Sequence, residues 1–563
     1  MKNSDETSYK QPVKNLARSK ALTHAVELLT IRRQDAAITP KDYVQKVHKE
    51  CSYIEYGQYA EASAMCSEED MQSWSDFRTS VVGDLKPSNL TIAYLAGPEP
   101  TNDIKILLNL GIRPENIWAF EISDDYFQRA ISDVKNKQIR GIKLIKMKME
   151  DYFAATPRRF DIIYCDACAP FPSHEQKTLK IISSIFRHSS LNSLGVLITN
   201  FSAPDISKET DLENYSHLIS SYLYAKESLD FSDGNDFYPS DSAEASGYLL
   251  SPETMSIDDI DDIDDIDDDK YLIDSVKSNF NFYYSSFITR HIIDLASIIA
   301  PTERLTNSAL WRNMFEDQNL IIEKSQRWIT PTDQNNDLNE DTYYYDHIFE
   351  GGNFSLVKTL SYLDVGKKES TFYSKTTRTF INRWLNQLTD CDGKTEKSIN
   401  NILTFYACKD NTNCWTESML DMKTFNYRMN MPHLCDVPTE ELGFYPIFAQ
   451  FSYPAHCNIK ESKRYSYIAE GKQNRMFLDV LPFDECRYIY DWLSSGHLVA
   501  SDLEKISTQL TFRFALDSLS KNLHHYQGDF LYGSHVIPLS TDFDSSSLQE
   551  RLDLSSTSNI DDK

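Results

Sequence analysis

The period of apolar and polar positions changes several times along the 563 residues, and the changes divide the chain. From Val13 to about Arg33, the residues Val13, Leu16, Ala17, Leu22, Ala25, Val26 and Leu29 recur at helical spacing. Tyr53 to Met65 and Glu68 to Val82 read the same way, so residues 1–88 are expected to form a helical region. Between Asn89 and Ser202 short apolar runs alternate with helix-length segments. The runs are Leu90 to Ala96, Ile117 to Phe120, Ile142 to Met147, Phe160 to Tyr164 and Gly195 to Thr199. This alternation predicts an α/β domain over 89–202, with a parallel sheet covered on both faces.

After Ser202 the composition shifts. Residues 203–270 are acidic and of low complexity, ending in an Ile-Asp-Asp repeat from Ile257 through Asp269. Ile at every third position matches neither a strand nor a helix, and the charges repel, so a linker or insertion is expected. Residues 271–344 read as helices followed by a polar linker, with a helix over Phe287 to Ile299 that Pro301 ends. Residues 345–540 read as an additional α+β region for recognition or partner binding. Its helices include Arg378 to Leu388 and its strands Arg475 to Val480. The Ser- and Asp-rich residues 541–563 are expected to be a disordered tail.

The candidate chemistry lies at the ends of the predicted strands, outside which open α/β sheets bind ligands. The first run stops at Gly97-Pro98-Glu99-Pro100, where a residue without Cβ allows close approach of the backbone to a ligand. The second ends in Glu121, 24 residues after Gly97, near the offset of about 20 at which an acid can bond ribose hydroxyls. The third leads to Glu150-Asp151, where Asp151 can accept from an exocyclic amine. The fourth ends at Asp166, facing the reacting group. Together these residues describe a pocket for an adenine nucleoside.

In this arrangement the segment 89–202 resembles a class I S-adenosylmethionine-dependent methyltransferase domain with a Rossmann-like sheet. The resemblance covers about a fifth of the chain and rests mostly on order and spacing. It implies S-adenosylmethionine as cofactor, bound by Gly97, Glu121 and Asp151, with Asp166 beside the methyl group. Glu99 is the expected acceptor for the cofactor's amino group. The first turn departs from the family's Gly-x-Gly-x-Gly pattern, having one Gly, and its two prolines remove two N–H donors. Asp166-Ala-Cys-Ala-Pro170-Phe171 loosely resembles the signature of base-amino methyltransferases. That implies a nucleic-acid base (DNA or RNA) as acceptor, with Asp166 accepting from its amino group and Phe171 stacking on it. The competing reading is a catalytically silent relative serving as a scaffold or ligand sensor in a multiprotein assembly. A dinucleotide oxidoreductase is a third reading, weakened by the lack of Gly-x-Gly-x-x-Gly.

Charge and cysteines adjust this picture. A net charge of −27 disfavours a sequence-independent grip on nucleic acid, while leaving room for a local basic groove. Two such stretches exist: the basic N-terminal residues that include Lys14 and Arg18, and Tyr453 to Tyr467, where His456, Lys460, Lys463 and Arg464 interleave with tyrosines. A solvated helix face and a surface loop are the preferred readings of these two. Ten cysteines lack a paired pattern, and no zinc template fits Cys391 to Cys457, so no metal is expected. Cys165 and Cys168 read as unreactive rather than as nucleophiles. Absence of an apolar leader or an 18-residue apolar run points to a cytoplasmic protein without membrane contact.

Overall fold

The computed structural model describes residues 11–38, 41–42, 68–223, 268–306, 374–389, 416–417, 455–469, 473–485 and 551–557. Apart from a single turn at Arg33–Ala36, its helices are α1 (Pro12–Leu29), α2 (Glu68–Val82), α3 (Thr101–Asn109), α4 (Asp124–Asn136), α5 (Met149–Ala155), α6 (Thr178–Arg187), α7 (Glu209–Leu223), α8 (Asp268–Ser278), α9 (Phe280–Asp294), α10 (Ala300–Thr306) and α11 (Lys375–Thr389). The strands are β1 (Ile92–Leu95), β2 (Ile117–Phe120), β3 (Lys143–Ile145), β4 (Phe160–Asp166), β5 (Leu191–Ser202), β6 (His456–Cys457), β7 (Lys463–Ile468), β8 (Arg475–Asp484) and β9 (Leu552–Asp553).

All of these strands share one sheet, in the order β3-β2-β1-β4-β5-β8-β7-β9, with β6 pairing to β8. The first five are parallel and follow the doubly wound order 3-2-1-4-5. The sheet does not end at β5. Leu194 pairs with Asp484 and Ser202 with Met476, so antiparallel β8 continues the sheet and β7 follows it. These strands come from within residues 345–540. Arg475 to Val480 is a strand, as its pattern predicts, but it belongs to the same sheet as 89–202. Of the stretch Tyr453 to Tyr467, read from the sequence as a basic and aromatic surface loop, the described residues 455–467 include β6 and most of β7. His456 and Arg464 are buried there.

Two hydrophobic layers cover the sheet, and the alternation of strand side chains assigns residues to each. Ile92, Tyr94, Ile162 and Tyr164 face a layer that also contains Ala17, Ala21 and Leu22 of α1 and Ile104 and Leu107 of α3. Ala93, Ile163, Cys165 and Leu197 face the other, built with α5, α6, α7, α9 and α11. Residues 209–223, a linker by composition, form α7 instead, because Tyr215, Leu218, Ile219 and Tyr222 make an apolar face that is buried. The predicted helix over Tyr53 to Met65 lies outside the described residues, as does the Ile-Asp-Asp repeat apart from Asp268 and Asp269 in α8. Pro301 does not stop the helix before it. A π-helical turn over Leu295–Ile299 intervenes, and Pro301 falls just beyond it, in the first turn of α10, where a missing N–H is tolerated. No described helix is long and apolar enough to cross a membrane.

Candidate functional site

The strand order reverses between β1 and β4. A cleft of about 660 Å³ opens at that point, within the size range of small-molecule sites. Gly97, Glu99, Glu121 and Asp166 all line it, so four of the six residues that the sequence points to come together.

Gly97 has φ +60°, and a Cβ added to it would meet nothing within 4 Å. The positive φ favours glycine, and the open side leaves room for a ligand at the backbone. Glu99 accepts from Asn102 Nδ2 at 3.1 Å, which fixes it along the cleft. Glu121 follows β2 directly, and its Oε1 accepts from the Ser123 N–H at 2.7 Å.

Two expected residues fall elsewhere. Asp151 is exposed, and its neighbour Glu150 lines the cleft instead. Both stand in the first turn of α5, where successive side chains point about 100° apart, so only one can turn toward the sheet. Burial, with Asp151 adding, holds the Glu150 carboxyl above the ordinary carboxylate range. Phe171 is 0% exposed and cannot stack on a base. It packs on Phe201, with centroids 4.9 Å apart. The turn after β4 runs through Ala167, Cys168, Ala169 and Pro170 before Phe171, and that length carries the ring past the cleft and against Phe287 of α9.

Asp166 is held by partners from three elements. Asn200 Nδ2 donates to it at 2.9 Å and Cys168 Sγ at 3.1 Å, and Lys14 Nζ of α1 pairs with it at 2.9 Å. Burial pushes the Asp166 carboxyl up, but Lys14 and Arg18 outweigh it and hold it below the usual range. Asp166 is therefore a firm hydrogen-bond acceptor and a weak base. One turn along α1, Arg18 pairs with Asp103 of α3 at 2.5 Å. Burial, reinforced by Asp166, pushes Asp103 up to about 6 despite that partner. Burial also raises both thiols, and the Asp166 carboxylate adds to the effect at Cys168, pushed up to about 12. Neither cysteine is a thiolate at neutral pH, as a nucleophile requires. Among the described residues, no group of three or more His, Cys, Asp or Glu is arranged to hold a metal ion.

Lys14, Arg18 and Asp103 line the cleft although no strand-end pattern marks them, and Asn200, which follows the fifth predicted run, supports it through Asp166. Lys14 and Arg18 are four apart on α1, beside the buried Ala17 and Ala21, and a charge repeated on an apolar face is the signal that could have found them. Asp103 is one turn from Leu107 on the buried side of α3.

The parallel strand ends, the acids on them and the sheet covered on both faces make a doubly wound, Rossmann-like α/β fold with a cleft at its switch point. No family model matches the chain, and no curated protein matches it. Among solved structures, an S-adenosylmethionine-dependent methyltransferase from Clostridium acetobutylicum ATCC 824 is similar at 20% identity, over 25% of this chain and 52% of its own, with a TM-score of 0.17. The match spans about half of that structure and is too slight to argue from.

Proposed function

We propose that the cleft binds S-adenosylmethionine and that the protein is a methyltransferase. The observation that carries this reading is the state of the first turn of α3. A helix start beside Gly97 is where a dinucleotide would place its pyrophosphate. Here the Thr101 N–H donates to Asp133 at 3.0 Å, Asn102 N–H to Glu99 O at 3.2 Å, and Asp103 and Ile104 N–H to Pro100 O at 3.2 and 3.1 Å. Pro98 and Pro100 have no N–H to offer. The helix start therefore has no amide left for phosphate, while Glu99, Glu121, Glu150 and Asp166 supply carboxylates. Such a lining suits a nucleoside that carries positive charge and no phosphate. When bound, S-adenosylmethionine supplies an electrophilic methyl group, and the transfer requires little beyond alignment. Gly97 gives the backbone approach, Glu121 accepts from ribose hydroxyls, and Asp166 orients the acceptor through a hydrogen bond.

A nucleic-acid base as the acceptor rests on the Asp166–Pro170 match and on the size of the region beyond residue 344, which suits a macromolecular partner. Phe171 lies in the core, and Arg464 and His456 lie in the sheet. The second reading, a silent relative that works as a scaffold, is favoured by the Lys14–Asp166 pair, which occupies the carboxylate meant for an acceptor.

Calorimetric titration with S-adenosylmethionine and with NAD tests the cofactor reading. The expected result is binding of the first alone, weakened by about 1–3 kcal/mol in Glu121→Ala, the worth of a hydrogen bond to a charged group. NAD binding, or no binding of S-adenosylmethionine by the folded protein, overturns it. Methyl transfer that Asp166→Ala abolishes supports the enzyme over the scaffold.

A further inference from the structure

The Ser- and Asp-rich C-terminal segment, a disordered tail by composition, contains β9. This strand adds to the sheet edge in parallel, with Leu552 opposite Tyr465 and Asp553 opposite Ser466. Its anchor is Arg551. That guanidinium pairs with Asp479 at 2.6 Å, donates to Tyr465 O at 2.9 Å and lies 5.2 Å from the centre of the Phe477 ring. Two further clasps hold the segment: Arg475 Nη1 donates to Asp553 at 2.7 Å, and Ile468 N–H to Ser555 Oγ at 2.7 Å.

The segment touches α1, which pairs with Asp166 directly, and β7, which reaches it through Asn200. On one side it grips β7, whose Tyr467 hydroxyl accepts from Asn200 Nδ2 at 2.8 Å, and the same amide donates to Asp166 at 2.9 Å. On the other side Leu554, 1% exposed, is buried in the layer that contains Ala17, Ala21 and Leu22 of α1. That helix delivers Lys14 to Asp166 and Arg18 to Asp103. We propose that residues 551–557 are a strap that positions the cleft, with Arg551 and Leu554 as positioning residues acting through β7 and α1. The consequence for cofactor binding rests on the methyltransferase reading; the mechanical role does not.

Shortening Arg551 does not strand its buried partner. Arg464 is buried beside Asp479, and Thr289 Oγ1 donates to that carboxylate at 2.6 Å, so both remain to face it. Full-length wild type, Arg551→Ala, Arg551→Lys and Leu554→Ala are compared by hydrogen exchange and by S-adenosylmethionine titration. In Arg551→Ala, exchange is expected to rise over residues 551–557, 463–468 and 12–29, with β1 to β4 keeping wild-type protection. Cofactor affinity falls roughly tenfold, as for the loss of one hydrogen bond. Arg551→Lys restores much of both, and Leu554→Ala affects 12–29 more than 463–468. Unchanged exchange at 463–468 and 12–29 in Arg551→Ala overturns the proposal, as does a uniform rise across the sheet. The expected exchange pattern in a protein that does not bind S-adenosylmethionine leaves the strap standing and removes the cofactor reading.

Discussion

Burial acts most strongly at single residues around α1 and α3. Asp103 is 5% exposed and Arg18 7%, so water hydrates neither charge well and each offsets the other. Removing Arg18 leaves a carboxylate that water cannot reach, which costs about 3–5 kcal/mol for a buried pair. The carboxyl can escape by taking up a proton. Asp103 is already raised to about 6, above its unfolded value, so its protonated form favours the fold at low pH and that contribution is lost as pH rises through the folded value. Arg18→Met is therefore expected to destabilise the protein most at pH 8 and progressively less toward pH 5. Urea unfolding of both proteins across that range measures the difference, and a constant gap would contradict the assignment.

Among the elements, α9 shows how packing sets protonation. His291 is wholly buried, stacked on Phe287 at 5.4 Å, and its Nε2 accepts from Trp384 Nε1 at 3.3 Å. An imidazole that accepts must be neutral there, and burial pushes its pKa down to about 3. The unfolded chain binds the proton near pH 6.5, so stability falls as pH drops from 6.5 toward 3. At pH 5 this one group accounts for about 2 kcal/mol of loss. His291→Gln cannot take up that proton, so its unfolding free energy should decline less between pH 7 and 5 than that of wild type. Equal slopes would show that His291 is not the titrating group.

Over the whole molecule, the sheet is assembled from segments far apart in the chain. The β5 edge from Leu194 to Ser202 is paired along its length by β8, and α7, α9 and α11 cover one face. A fragment of residues 89–202 alone would expose that edge and that face, a template for aggregation. It is expected to show no cooperative thermal transition by circular dichroism, whereas the full chain does. A cooperative transition in the fragment would show that the sheet is stable without β8. The pairing of distant strands also carries a loop-closure cost before it is rewarded, which makes slow folding the expectation.

Local sequence was enough for the five parallel strands and for α3, α4 and α6 of 89–202, though not for the short helix α5, and for four of the cleft residues. Strand ends and turns are local features: an apolar run, a glycine and an acid at a fixed offset identify Gly97, Glu99, Glu121 and Asp166 without any distant contact. It was enough as well for α1, α2 and α11, because a 3.6-residue apolar repeat needs no partner to be recognised. What depends on neighbours was settled by packing. Helical rotation turned Glu150 rather than Asp151 to the cleft, and the turn length after β4 sent Phe171 into the core. The ion pairs of Lys14 and Arg18 join residues about 85 to 150 positions from their partners in sequence, beyond any local pattern. The same holds for β8 and for the Arg551 strap, since strand pairing across a long connection is fixed by the edge that receives it, and that edge exists only once the sheet has formed.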